Sequence, residues 1–162
     1  MATVVFVTGI PSSGKSAVAK ALLQLDPALE LVETDVEIRK EGLGASTLFN
    51  ARRIFRRVLD KIETLSQDAS VVVDGSLPAT YVKEAKERFG DKALFVTLRV
   101  TESERRRRER SRRDRSPIQW NERMTSLGGG RELYDLVIDS TATSPDDAAR
   151  QILRAAREVG LD

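Results

Sequence analysis

The chain has 162 residues, 40% of them hydrophobic and 32% charged, which suits one folded domain of ordinary size and is too apolar for disorder. It contains neither cysteine nor histidine, so disulfide scaffolds, Cys/His zinc sites, thiolate nucleophiles and Ser-His-Asp triads are excluded, and any general base must be Asp, Glu, Lys or Tyr. The formal charge is only +2, yet eight arginines crowd residues 105–115 against Glu109 and Asp114, so the basic character belongs to one segment and the remainder is net acidic.

The chain opens on an apolar run at residues 3–8 that lacks the charged front of a signal peptide, and no run approaches the roughly eighteen residues of a membrane span. A cytoplasmic protein without a membrane partner is the expectation. A helix is predicted over 16–25, then a strand over 29–34, a long helix over 47–66 and a strand over 70–74. Further helices are predicted over 79–89, 102–112 and 145–159, with strands over 93–100 and 136–139. The strands are rich in Val, Leu and Phe without strict alternation, as in a parallel sheet covered on both faces; five parallel strands and an α/β class follow.

Thr101-Glu102-Ser103-Glu104 reads as a capping box and Ser144-Pro145-Asp146-Asp147 as a capped helix start. Residues 42–46 match only a fragment of a dinucleotide fingerprint and read as a loop. No repeat or linker divides the chain, which is taken as one domain over 1–162. Residues 110–131, with Pro117, Trp120, Gly128, Gly129 and Gly130, fit the alternation least and read as a flap.

Gly9-Ile10-Pro11-Ser12-Ser13-Gly14-Lys15-Ser16 has the spacing G-x-x-x-x-G-K-S and lies between a strand and a helix, where the mechanism needs it. Phosphate oxygens require donors converging from one side, and a glycine-bearing loop turns its backbone N–H groups inward at the positive end of a helix. Gly9, Ser12, Ser13, Gly14, Lys15, Ser16 and Ala17 are therefore the candidate nucleotide-binding residues. Lys15 suits the β- and γ-phosphates and the Ser16 hydroxyl a bridging Mg²⁺. A Gly/Ser turn that matches by chance is the rival.

Ligands of an open parallel sheet bind at the carboxyl ends of its strands, and there Asp35 is expected to close the second strand and Asp74 the third. Asp74 is the metal-side candidate and also borders the acceptor. Asp35 is the candidate base for an acceptor hydroxyl, with Glu37 and Arg39 beside it on the acceptor side. Helix capping is the alternative for either aspartate. Asp139, at the end of the last strand, reads as structural or near the adenine.

The arginine run has three readings: a nucleic-acid patch, a solvated helix face, or a lid closing on phosphate. Only Trp120 is at hand for stacking, which argues against nucleic acid. Phosphoryl transfer spreads negative charge over the transferred group, and an arginine brought to it contributes roughly 10³–10⁵ in rate. Arg52, Arg53, Arg56 and Arg57 form a second basic group, read as a solvated or acid-paired face.

The glycine-rich loop, Asp35, the stretch Arg108-Glu109-Arg110-Ser111-Arg112-Arg113-Asp114-Arg115 and the segment Tyr134-Asp135-Leu136-Val137-Ile138-Asp139-Ser140 together resemble the chloramphenicol phosphotransferase-like family, small kinases built like nucleoside monophosphate and shikimate kinases. The resemblance implies a three-layer P-loop kinase fold with strand order 2-3-1-4-5 and an arginine-rich lid. It implies Asp35 as catalytic base, Lys15 and Ser16 at ATP and Mg²⁺, Arg112 and Arg115 in the lid, and Arg108 near the adenine. The expected function is transfer of the γ-phosphate of ATP to a hydroxyl of an antibiotic or metabolite; a nucleotide or polynucleotide kinase, or a P-loop ATPase without acceptor, are the alternatives. The acceptor and the oligomeric state are not legible.

Overall fold

The computed structural model describes residues 2–40, 48–111 and 130–160. In chain order these form β1 (Val4–Thr8), α1 (Lys15–Leu25), β2 (Glu30–Glu33), α2 (Thr34–Lys40), α3 (Leu48–Leu65), β3 (Val71–Asp74), α4 (Ala79–Phe89), β4 (Ala93–Arg99), α5 (Glu102–Ser111), β5 (Leu136–Asp139) and α6 (Pro145–Glu158). Arg112, Arg115, Trp120, Gly128 and Gly129 of the expected lid, and residues 42–46, lie outside the described residues.

The five strands make one parallel sheet in the order β2-β3-β1-β4-β5, as expected, with Val4 opposite both Val71 and Ala93. Successive strand residues point to opposite faces, and both faces of the sheet's centre are covered, which is why β1 and β3 are nearly continuous valine. Val4, Phe6, Val71, Val73 and Phe95 pack under α3 and α4, against Ile54, Phe55, Leu59, Ile62, Val82 and Phe89. Val5, Val7, Val72 and Val96 pack against Val18 and Leu22 of α1 and Ala148, Ala149 and Ile152 of α6. Three layers result, and the loops at the carboxyl ends of the strands meet along one rim.

The structure differs from expectation in two places. The strand expected over 29–34 stops at Glu33, and Thr34 begins a helix of seven residues. Asp35 therefore does not close a strand; it stands in the first turn of α2. Asp35 and Glu37 in the first turn and Arg39 and Lys40 in the last complement the helix dipole, and the Thr34 hydroxyl donates to the Asp74 carbonyl at 3.3 Å, turning the chain off the sheet.

The capping box at Thr101 is only half made. The Glu104 N–H donates to Thr101 Oγ1 at 3.4 Å, but the Thr101 N–H goes to Thr141 Oγ1 at 2.9 Å, while the Glu104 carboxylate pairs with Arg107 and Arg108. Two guanidiniums outcompete one amide for that carboxylate. At α6 the expected cap is present, with Ser144 Oγ accepting from the Asp147 N–H at 3.1 Å and Pro145 at the first helical position.

Candidate active site

The loop between β1 and α1 bends through residues that a side chain would strain. Gly9 has φ +150 and Gly14 φ +99; Ser12, also left-handed, has φ +66. At Gly9 a Cβ would stand 2.9 Å from the Leu98 carbonyl oxygen and 2.5 Å from Ser13 Oγ. Inside this bend the Ser13 N–H donates to the Ile10 carbonyl at 3.1 Å, and the Lys15 ammonium folds back onto the same carbonyl at 3.0 Å. Ser13 is fully buried, and among the described residues its hydroxyl has no hydrogen-bond partner, so its side chain lies on the inner side of the bend. Ser12, Ser16 and Ala17 lie on the accessible side.

Asp74 and Ser16 meet at the rim. The Ser16 hydroxyl donates to Asp74 Oδ2 at 2.9 Å. Asp74 is only 7% exposed, and burial pushes its carboxyl above the ordinary range against the opposing pull of Ser16 and the Lys15 ammonium. Glu33 and Asp35 push it the same way as burial by negative charge.

Glu33 is a residue that the sequence reading passed over. It sits opposite Asp74 in the β2–β3 register and half-buried, so the two carboxylates border one edge. The signal for it was the acid pair flanking Thr34, visible only once the strand end is known.

The position of Asp35 is set by the same crossing. Gly75 follows Asp74, and a Cβ there would fall 2.2 Å from Thr34 Oγ1, so the start of α2 and the end of β3 approach as closely as backbone allows. Asp35 is thereby exposed on the rim, electrostatically within reach of Asp74. Glu37 is not brought to it. Its carboxylate accepts from Lys61 at 2.6 Å and Lys40 at 3.4 Å, which hold it below its usual range and tie α2 to α3. Arg39 is exposed near the end of α2.

Arg108 reaches the loop from α5. Its Nη1 donates to the Ser13 carbonyl at 3.1 Å, and its Nη2 to the Ser140 carbonyl at 2.6 Å. Asp139 accepts from the Thr141 N–H at 2.9 Å, a turn-forming role. Arg52 and Arg56 of α3 pair with Glu84 of α4 at 3.6 and 2.8 Å, so these two of the four arginines are acid-paired.

The fold recurs among solved structures. A sugar kinase from Janibacter sp. HTCC2649 superposes with a TM-score of 0.77 at 16% identity, covering 99% of this chain and 96% of that one. A tunicamycin resistance protein of Deinococcus radiodurans gives 0.71 at 22% identity over 100% and 98%. Shikimate kinase from Acinetobacter baumannii, solved with shikimate, gives 0.73 at 20% identity over 100% and 97%. No curated protein matches the chain. Matched from residue 2 to residue 157 and built on a sheet in the order 2-3-1-4-5, the chain belongs to the chloramphenicol phosphotransferase-like family of P-loop kinases.

Proposed function

We propose that the protein transfers the γ-phosphate of ATP, with Mg²⁺, to a hydroxyl of a small molecule, an antibiotic or a metabolite. The observation that carries this reading is the Ser16–Asp74 hydrogen bond at the mouth of the glycine-rich loop. It sets a hydroxyl and a buried carboxylate side by side where a triphosphate tail on residues 9–16 would end.

That pair fits Mg²⁺. Both donors are hard oxygens, and among the described residues no group of three or more acids is arranged to hold a metal ion; phosphate oxygens and water would complete the shell, as Mg²⁺ prefers. Bound there, Mg²⁺ would neutralise charge on the β- and γ-phosphates.

The chain's own residues do the rest. The amides of the loop hold the phosphates, and Lys15 exchanges the Ile10 carbonyl for phosphate oxygen. Asp35, exposed on the first turn of α2, orients the acceptor hydroxyl and takes its proton as the oxygen attacks. Arg39 flanks the acceptor, while Glu37 holds α2 through its lysines. Arg112 and Arg115, outside the described residues, keep the lid role that the resemblance implies.

The deciding experiment is ADP release with hydroxylated antibiotics and metabolites added singly. Release that rises with one such compound, and is abolished in Asp35→Asn while MgATP affinity stays nearly unchanged, supports the reading. ADP release that no acceptor stimulates or diverts sinks it.

A further inference from the structure

Arg108 is a member of a run of four arginines, and it differs from its neighbours in where its donors go. Arg105, Arg106 and Arg107 answer to Glu102, Glu104 and Glu109 of their own helix. Arg108 gives only its Nε to that helix, to Glu104 at 3.0 Å. Its Nη1 donates to the Ser13 carbonyl at 3.1 Å, the Ser12 carbonyl at 3.5 Å and Ser140 Oγ at 3.2 Å, and its Nη2 to the Ser140 carbonyl at 2.6 Å. The side chain is 27% exposed, and a Cβ at Gly14 would stand 3.4 Å from Nη1, so the guanidinium lies along the outside of the loop.

A peptide unit is planar, with its C=O and N–H pointing in opposite directions. A donor that draws the Ser13 carbonyl outward therefore turns the Gly14 N–H inward, toward the concavity. The Ser12 carbonyl, drawn the same way, sets the Ser13 N–H onto the Ile10 carbonyl and closes the turn. The planar fork of an arginine holds several acceptors in one geometry, which a lysine's single ammonium does not.

We propose that Arg108 is a positioning residue for the phosphate loop: from outside, it orients the peptide units that present amides to the phosphate tail, whatever base that tail carries. The proposal rests on residues 9–16 being the nucleotide loop. It differs from a contact with adenine, which would act on the base, and from a brace, which would act on stability alone.

Calorimetry on the full chain separates these, using magnesium tripolyphosphate, which has neither base nor ribose, beside MgATP. Arg108→Gln is expected to weaken both by a common factor of about 10- to 100-fold. Arg108→Lys, which keeps the charge and loses the fork, is expected to weaken both severalfold. Tripolyphosphate affinity intact with ATP weakened assigns Arg108 to the base and overturns the proposal, as does wild-type protein that binds MgATP but no tripolyphosphate. Unchanged affinities with a lower Tm leave only a brace, and unchanged binding in Arg108→Lys leaves only charge; either overturns it. If Arg108→Gln does not fold, Arg108→Lys carries the test alone, and an unaltered tripolyphosphate Kd there overturns the proposal. Wild-type protein that binds neither probe instead sinks the nucleotide-loop reading itself.

Discussion

Gly9 and Ser13 face one another across the glycine-rich loop, and their substitutions are expected to act in opposite directions. At Gly9, φ +150 and the Leu98 carbonyl 2.9 Å from any Cβ leave nowhere for a methyl to go. Gly9→Ala is expected to lose roughly 1–3 kcal/mol in urea denaturation. Ser13→Ala removes a buried hydroxyl that lacks a partner among the described residues, and is expected to be neutral or to stabilise by about 1 kcal/mol. Asp74 has a carboxyl raised by burial. Folding therefore favours the protonated form relative to the unfolded chain, a contribution that is full below the unfolded value near 3.8 and is lost as pH rises through the folded one. Asp74→Asn is expected to raise the Tm at pH 7 in ligand-free protein, with no gain below about pH 3.8, while Mg²⁺-dependent nucleotide binding falls. The loop that holds Gly9, Lys15 and Ser16 was legible because it follows from spacing along a short segment. Glu33 beside Asp74 and Arg108 against Ser13 were not, since each is a contact between elements far apart in the chain.

At the scale of elements, α5 and α2 make the contrast. Helix α5 buries no residue, so it is held by ion pairs that run along it: Glu102 with Arg105 and Arg106, Glu104 with Arg107 and Arg108, and Arg105 with Glu109. These arginines, by direct hydrogen bonds, hold the carboxyls of Glu102 and Glu104 down to about 2. A lowered value means stability present above the unfolded 4.5 and lost as pH falls toward 2. Carboxyl NMR titration is expected to find both groups near pH 2, and helicity lost in Glu102→Gln/Glu104→Gln relative to wild type is expected to vanish in acid and in 1 M salt, roughly a 3 Å Debye length. The sequence carries these pairs in its i, i+3 and i, i+4 spacing, although the run read there only as a nucleic-acid patch, a solvated face or a lid, and Glu104 as a capping-box partner. Helix α2 escaped because seven residues carry too little apolar periodicity to separate from a strand end; its only signal was the order of acids before bases. The pairs that join α3 and α4 through Glu84 are exposed, and Glu84→Ala is expected to cost under about 1 kcal/mol.

The whole molecule stands on the two cores that cover the sheet. Ile152 of α6 is fully buried against α1 and the strands, and Ile152→Ala is expected to lose about 2–5 kcal/mol. A ligand that binds only the folded state adds to this: MgATP at a hundredfold excess over its Kd is expected to contribute about 2.7 kcal/mol, or roughly 5–10 °C in Tm for a chain of this size. Lys15→Ala is expected to abolish that shift, as thermal unfolding with and without MgATP would show. Among the described residues no helix is long and apolar enough to cross a membrane. What the sequence determined alone is whatever lies in consecutive residues. The α/β alternation follows from runs of valine between amphipathic stretches, and the phosphate loop from the positions of two glycines, a lysine and a serine. The strand order came with the family resemblance. Only the tertiary structure decided where each aspartate stands, which carboxylate meets Ser16, and which of four adjacent arginines turns to the loop. Those outcomes depend on the sheet bringing the ends of β1, β2 and β3 to one rim and on α5 approaching from the far edge, and no local pattern encodes the distance between segments that meet only after the chain has folded.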